Sequence, residues 1–280
     1  MPPPESPAPT SAADGAWDRL AGLEFMAQGR IAVQLIPFEQ PFRDAYEAGV
    51  IVPVLRAGRT PAVDVRAAAL VHKRMLNDLR GVWHMLCMGY TSQAASIAAS
   101  LYESALVATC LTISQANIDK LLSQPEGEIP WKITEMAKMV VKAEGKSTGV
   151  DYENQWRALY AHYVWLCQIK HSSLQSALHD TSGTALEKGY VVMALPHVRD
   201  EDMPIKAMVA IIALHRTLDC IEAFAKALGF VDPLPADYRF SERFNRARDL
   251  AWKAFEPYLK ARLAIGIERS RFAHQKPPVS

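Results

Sequence analysis

An all-α fold, a bundle of long antiparallel helices, is what this sequence predicts, and three observations predict it. Apolar residues recur at helical spacing over most of the chain. Capping residues and glycines bracket those runs. Only GYVVMAL, residues 189–195, reads as a strand, and one strand would have no partner, so an extended connection is expected there.

In chain order, residues 1–14 are a Pro/Ser/Ala tail with neither a basic nor an apolar leader segment, expected to be disordered. An N-terminal arm follows at 15–59. A helix over 15–28 is expected, then a looser stretch broken by Pro37, Pro41 and Pro53 with a short helix at 41–48 ended by Gly49. The bundle domain is placed at 60–230. Thr60-Pro61 reads as a helix start, and Val63, Leu70, Met75, Leu79, Val82 and Leu86 carry the spacing on to about Met88. Gly89 breaks it and Thr91 opens a helix to about Ser114, so 61–114 forms an antiparallel hairpin. Helices over 115–123, 131–143 and 152–178 follow, then one over 202–228 that stops at Gly229. Residues 231–280 form a basic helical appendage, helical from about 239 to 272 with a kink near Pro257.

Composition is that of an ordinary globular protein: 280 residues, half of them hydrophobic, 22% charged, net charge +1. No global field draws it to nucleic acid or acidic lipid. The longest uninterrupted apolar run, Ala207–Leu214, is short of the roughly 20 residues a membrane span needs, so a cytoplasmic protein with no membrane contact is expected. Cys87, Cys110, Cys167 and Cys220 are far apart and read as reduced core thiols.

One absence stands out. Between Arg80 and Asp119 the only formally charged residue is Glu103, with Ser96, Ser100, Val107 and Cys110 at helical spacing around it. Such small neighbours let a second helix approach, so this carboxylate needs a partner: it either anchors helix to helix or works in a cleft. His171 is the candidate partner, on a stripe with Tyr160, Tyr163 and Cys167; a Glu–His pair flanked by tyrosines could act as acid and base. The alternative is a satisfied core histidine. His179 with Asp180 suggests no third ligand, and neither metal nor cofactor is expected. Arg157 and His162 form an Arg-x4-His pair, as do Arg269 and His274, and Arg66/His72 is the same pair one residue wider. From Pro235 onward ten Lys/Arg face five Asp/Glu, and Arg243 and Arg246 are the candidate phosphate contacts, against the alternative of a solvated helix face.

The Tyr163, Leu166, Cys167 and His171 pattern in YVWLCQIKHSS, with KITEMAKMVVKAEG and YENQWRALY before it, resembles a numbered bacterial family of helical proteins of unknown function. Its hallmark helix reads Tyr-x-x-Leu-Ser-x-x-x-His. The helix SLYESALVATC matches as well, Glu103 standing at a recurring glutamate; the likeness spans about 60–228. Cys167 replaces the usual serine, and Ala99 an arginine that often precedes the glutamate. That family is similar to HEPN-like and abortive-infection proteins, and Arg157 with His162 resembles the HEPN ribonuclease spacing. The resemblance implies a defence or stress protein that binds RNA or protein. Its alternatives are a metal-independent ribonuclease and a non-catalytic partner subunit. Independently of the resemblance, the apolar stripes of the long helices 61–88 and 152–178 suggest a homodimer face.

Overall fold

The computed structural model describes residues 15–55, 63–125, 128–145, 150–170, 196–230 and 235–259. Within them lie eight α-helices and no strand: α1 Ala16–Ile51, α2 Arg66–Cys87, α3 Thr91–Ile113, α4 Gln115–Leu122, α5 Ile133–Ala143, α6 Val150–Lys170, α7 Met203–Ala227 and α8 Phe240–Phe255. The expected tail, His171, His179 and the GYVVMAL stretch lie outside the described residues.

The largest departure from the sequence expectation is α1. It is one helix of 36 residues, running through Pro37 and Pro41, where two short helices and a loose stretch are expected. Each internal proline removes a backbone donor and costs about 3 kcal/mol in isolation. Tertiary burial outweighs that cost. Ile31, Leu35, Phe38, Phe42 and Ala45 are sealed against the body of the protein at helical spacing, and each large side chain contributes about 2–3 kcal/mol. Pro53 acts where a proline is tolerated, at the start of the 3-10 turn Val52–Val54.

The α2–α3 hairpin forms as expected, and the turn explains why. Gly89 has φ +82, and Tyr90 closes the turn by donating its N–H to the Met85 carbonyl at 2.9 Å. The start of α2 differs from the Thr60-Pro61 signal: the Asp64 carboxylate accepts the Arg66 N–H at 3.1 Å, and the helix begins at Arg66. Ser114 caps α4 by accepting from the Asn117 N–H at 3.3 Å. Glu135 reaches back to the Lys132 N–H at 3.0 Å to cap α5.

The α3 helix is the centre of the molecule. Ala94, Ala95, Ala98, Ala99, Ala105 and Ala108 are all buried, and their small size lets α2, α5, α6 and α7 close on it. It is also the one described helix long and apolar enough to cross a membrane, and two thirds of its apolar window, 67%, is buried against its own neighbours. The described part of the C-terminal region, rather than standing apart, packs on α1 and α7. Phe240, Phe244 and Phe255 of α8 are sealed in the core as their spacing suggests, whereas Trp252 turns outward and stacks on His215 with ring centres 6.5 Å apart. The helix ends at Phe255, and Pro257 sits in a 3-10 turn, Glu256–Tyr258.

All four cysteines are free, Cys110 and Cys220 buried, Cys87 and Cys167 half-buried. Burial pushes the Cys110 and Cys220 thiols up to about 12, so both are neutral packing groups.

Candidate functional site

Glu103, the single formal charge of α3, leaves it toward α6, where the Tyr163 hydroxyl donates a short hydrogen bond to its Oε1. Both side chains are half-buried. Burial first, then the carboxylate and the nearby Cys167 side chain, holds the phenol well above its ordinary range, so Tyr163 keeps its proton. Beneath it the Tyr102 ring lies 6.1 Å from the Tyr163 ring, and its hydroxyl donates to the Leu159 carbonyl at 2.8 Å. The Arg216 guanidinium of α7 stands 5.6 Å over the Tyr102 ring and pairs with Asp219. Thus α7, α3 and α6 are joined by a run of contacts: the Arg216 cation over the Tyr102 ring, the Tyr102 ring beside that of Tyr163, and the Tyr163 hydrogen bond to Glu103.

Beside Glu103 a groove of about 410 Å³ opens between α2, α3 and the α4–α5 connection. Val71, Val107 and Leu121 line its apolar side, and Arg74, Ser104 and Glu128 its polar side. Leu122 and Ile129, 70% and 47% exposed, form its rim. Nearby, Ser100 Oγ donates to Asp78 Oδ2 at 3.0 Å, and burial raises the Asp78 carboxyl.

The structure brings Glu103 and Tyr163 together; the geometry of Glu103 and His171 falls outside the described residues. Tyr160 is partly exposed one turn earlier on α6. Arg157 is exposed, pairs with Glu153 at 3.0 Å, and lies 5.4 Å over the Trp156 ring. His162, half-buried, is five positions on, about 140° around the helix, so the two side chains leave α6 on different sides. His72 is a core histidine: its Nε2 donates to the Gly49 carbonyl at 2.9 Å, Cys220 Sγ lies 3.7 Å from Nδ1, and burial holds its pKa down. Arg66 pairs with Asp64 on the surface, and Arg269 and His274 lie outside the described residues.

Arg243 and Arg246 face inward to α1. Arg243 Nε meets Glu47 at 2.7 Å. Arg246 grips Asp44 with two nitrogens at 2.6 and 2.7 Å, and that carboxylate is 1% exposed. These arginines are engaged in holding α8 to α1.

Sequence reasoning overlooked a second polar node. Lys206 of α7 is fully buried and donates to Gln34 Oε1 at 3.2 Å. The Gln34 amide in turn donates to Asp200 at 2.7 Å and to the Val198 carbonyl at 3.2 Å, tying segment 196–202 to α1. Burial lowers the lysine to about 8, opposed by Asp202 and Asp200 and helped by Arg30. The signal was present: Lys206 is the only charge in α7 before Arg216, the same isolation that marks Glu103. Among the described residues no three His, Cys, Asp or Glu side chains gather as a metal site.

Compared with family models, curated proteins and solved structures, the chain matches none.

The Glu103–Tyr163 bond is a helix–helix tie with a measurable value. Tyr163→Phe lowers unfolding free energy by about 1–2 kcal/mol, because the half-buried carboxylate loses a charge-assisted donor and regains only part of it from water. Urea denaturation checks this. A double-mutant cycle with Glu103→Gln gives a coupling above about 0.5 kcal/mol; additivity would mean the bond carries nothing.

Proposed function

We propose that the chain is a HEPN-like helical protein of the bacterial cytoplasm that works by binding, with a protein as its partner, in a defence or stress setting. The observation that supports binding over catalysis in this reading is how its candidate reactive groups are engaged. Glu103 is held by Tyr163, Arg157 by Glu153, and Arg243 and Arg246 by Glu47 and Asp44. A donor already on a carboxylate weakens it as a general base, and a phosphate clamp needs arginines free of carboxylate partners. The groove beside Glu103 instead offers apolar walls with a mixed polar edge, the make-up of a protein-binding surface. A protein is favoured over RNA because the two arginines best placed in sequence to meet phosphate are turned to α1.

The test is incubation of the purified protein with mixed RNAs in the absence of divalent metal. The RNAs are expected to stay intact, and any binding to fall away with added salt. Cleavage that is lost in His162→Ala or His171→Ala would replace this reading with a metal-independent ribonuclease. In parallel, Leu122→Glu at the groove rim is expected to abolish capture of a stoichiometric protein partner; capture unchanged by it removes the groove from the account.

A further inference from the structure

The outward face of α1 carries a feature that the fold itself does not use. Gly22, Phe25, Met26, Gly29, Val33 and Ile36 follow one line at helical spacing, opposite the face that packs on the protein. Phe25, Met26, Val33 and Ile36 are 79%, 74%, 68% and 61% exposed. Scattered apolar residues on a surface need no explanation, but a continuous stripe does.

The two glycines sharpen the point. A Cβ at Gly22 or Gly29 would meet no atom of the protein, so internal packing does not require them. Neither has positive φ. Mid-helix glycine costs about 1 kcal/mol relative to alanine. Such positions gain only if something outside approaches the helix backbone closely.

Charge identifies that approaching partner. The line begins at Asp18 and ends at Arg43, with no charged residue on it between them. Arg43 also pairs within its own helix with Glu39 at 2.9 Å, and both remain more than half exposed. Reversing a second copy of this line sets Asp18 against Arg43 at both ends, Phe25 against Ile36, and Gly29 against Ala32 at the centre. That pairing is self-complementary, as a two-fold interface requires. The line from Asp18 to Arg43 runs for about 38 Å at 1.5 Å per residue. Its four large side chains present about 500 Å² per copy, and the small residues and charged ends bring this to about 750 Å², so two copies bury about 1,500 Å², the size of a specific interface.

We propose that α1 is a homodimerisation helix, pairing antiparallel with α1 of a second copy through the Gly22–Ile36 stripe. This surface is separate from the Glu103 groove and does not depend on the function proposed for it.

Sedimentation equilibrium of the full chain at micromolar concentration is the test, with circular dichroism to confirm that each variant keeps its helix content. A dimer is expected. Phe25→Glu and Ile36→Glu, both on exposed positions, each weaken it at least ~10-fold, about 1.4 kcal/mol or more. Asp18→Arg and Arg43→Asp each weaken it, and the double charge swap restores it, because each end again meets its opposite. A monomer throughout the micromolar range, or a dimer indifferent to Phe25→Glu and Ile36→Glu, overturns the proposal. So does a folded monomer that binds anionic phosphatidylserine vesicles and loses them on Phe25→Glu, which would make the stripe a lipid contact. A double swap no better than either single change overturns the antiparallel register.

Discussion

Gly89→Ala is expected to lower the stability of the protein by about 3 kcal/mol, the sum of two costs at one position. The first is conformational: φ is +82, where an L side chain pays roughly 1–2 kcal/mol. The second is steric. A Cβ there lies 2.8 Å from Ile31 Cδ1, 2.8 Å from Pro196 Cβ and 3.0 Å from the His197 nitrogen. The isoleucine tip can shift, but the 196–197 backbone is fixed by the His197 N–H donating to the Gly89 carbonyl at 2.9 Å, and overpacking of this kind costs about 1–3 kcal/mol. Gly145→Ala separates the two costs, since Gly145 has φ +85 and open space around its missing Cβ. It should lose only about 1–2 kcal/mol. Urea midpoints read both variants; equal losses would show that the contact of 196–197 with the hairpin turn adds nothing.

Lys206→Met is expected to stabilise the protein at pH 7, by about 2 kcal/mol. Lys206 is inaccessible to solvent, and the fold lowers it from 10.5 to about 8. One pKa unit is about 1.4 kcal/mol, so the buried ammonium carries a cost of about 3 kcal/mol, and the lost hydrogen bond to Gln34 returns about 1 of it. The sign follows from proton counting. Between pH 8 and 10.5 the unfolded lysine holds a proton that the folded one has released, so stability rises with pH across that window. The benefit of the neutral amine is full above 10.5 and lost as pH falls through about 8. The methionine variant lacks this rise. Its advantage over the natural protein therefore narrows as pH climbs from 8 toward 10.5, read as the difference between two melting curves. A pH-independent difference would mean that Lys206 stays charged in the fold.

Legibility in the sequence varied with how local the deciding physics was. The α3 boundaries are within a residue of expectation because a glycine turn and a capping position are local signals. The α1 helix was not legible. Pro37 and Pro41 are strong local breakers, and what overrides them is burial of Ile31, Phe38 and Phe42 against α2, α7 and α8, elements far along the chain. Half of the Glu103 node was readable, since an isolated charge in an apolar helix demands a partner. That the partner is Tyr163 depends on how α6 lies across α3, which periodicity does not encode. For the same reason Arg243 and Arg246 read as a basic surface although they face Asp44 and Glu47: a charge pattern gives the face of a helix but not what covers it.

The clasp between Arg246 and Asp44 spans 202 positions of the chain. During synthesis, α1 emerges with the Asp44 carboxylate and the Phe38–Phe42 face already in place, well before the helix that covers them. Contacts of such long separation slow folding, and apolar surface waiting for them is open to wrong partners. The bundle can assemble from α2 onward, but this face of α1 is shut only when α8 arrives, so it waits uncovered while all the helices between them are made.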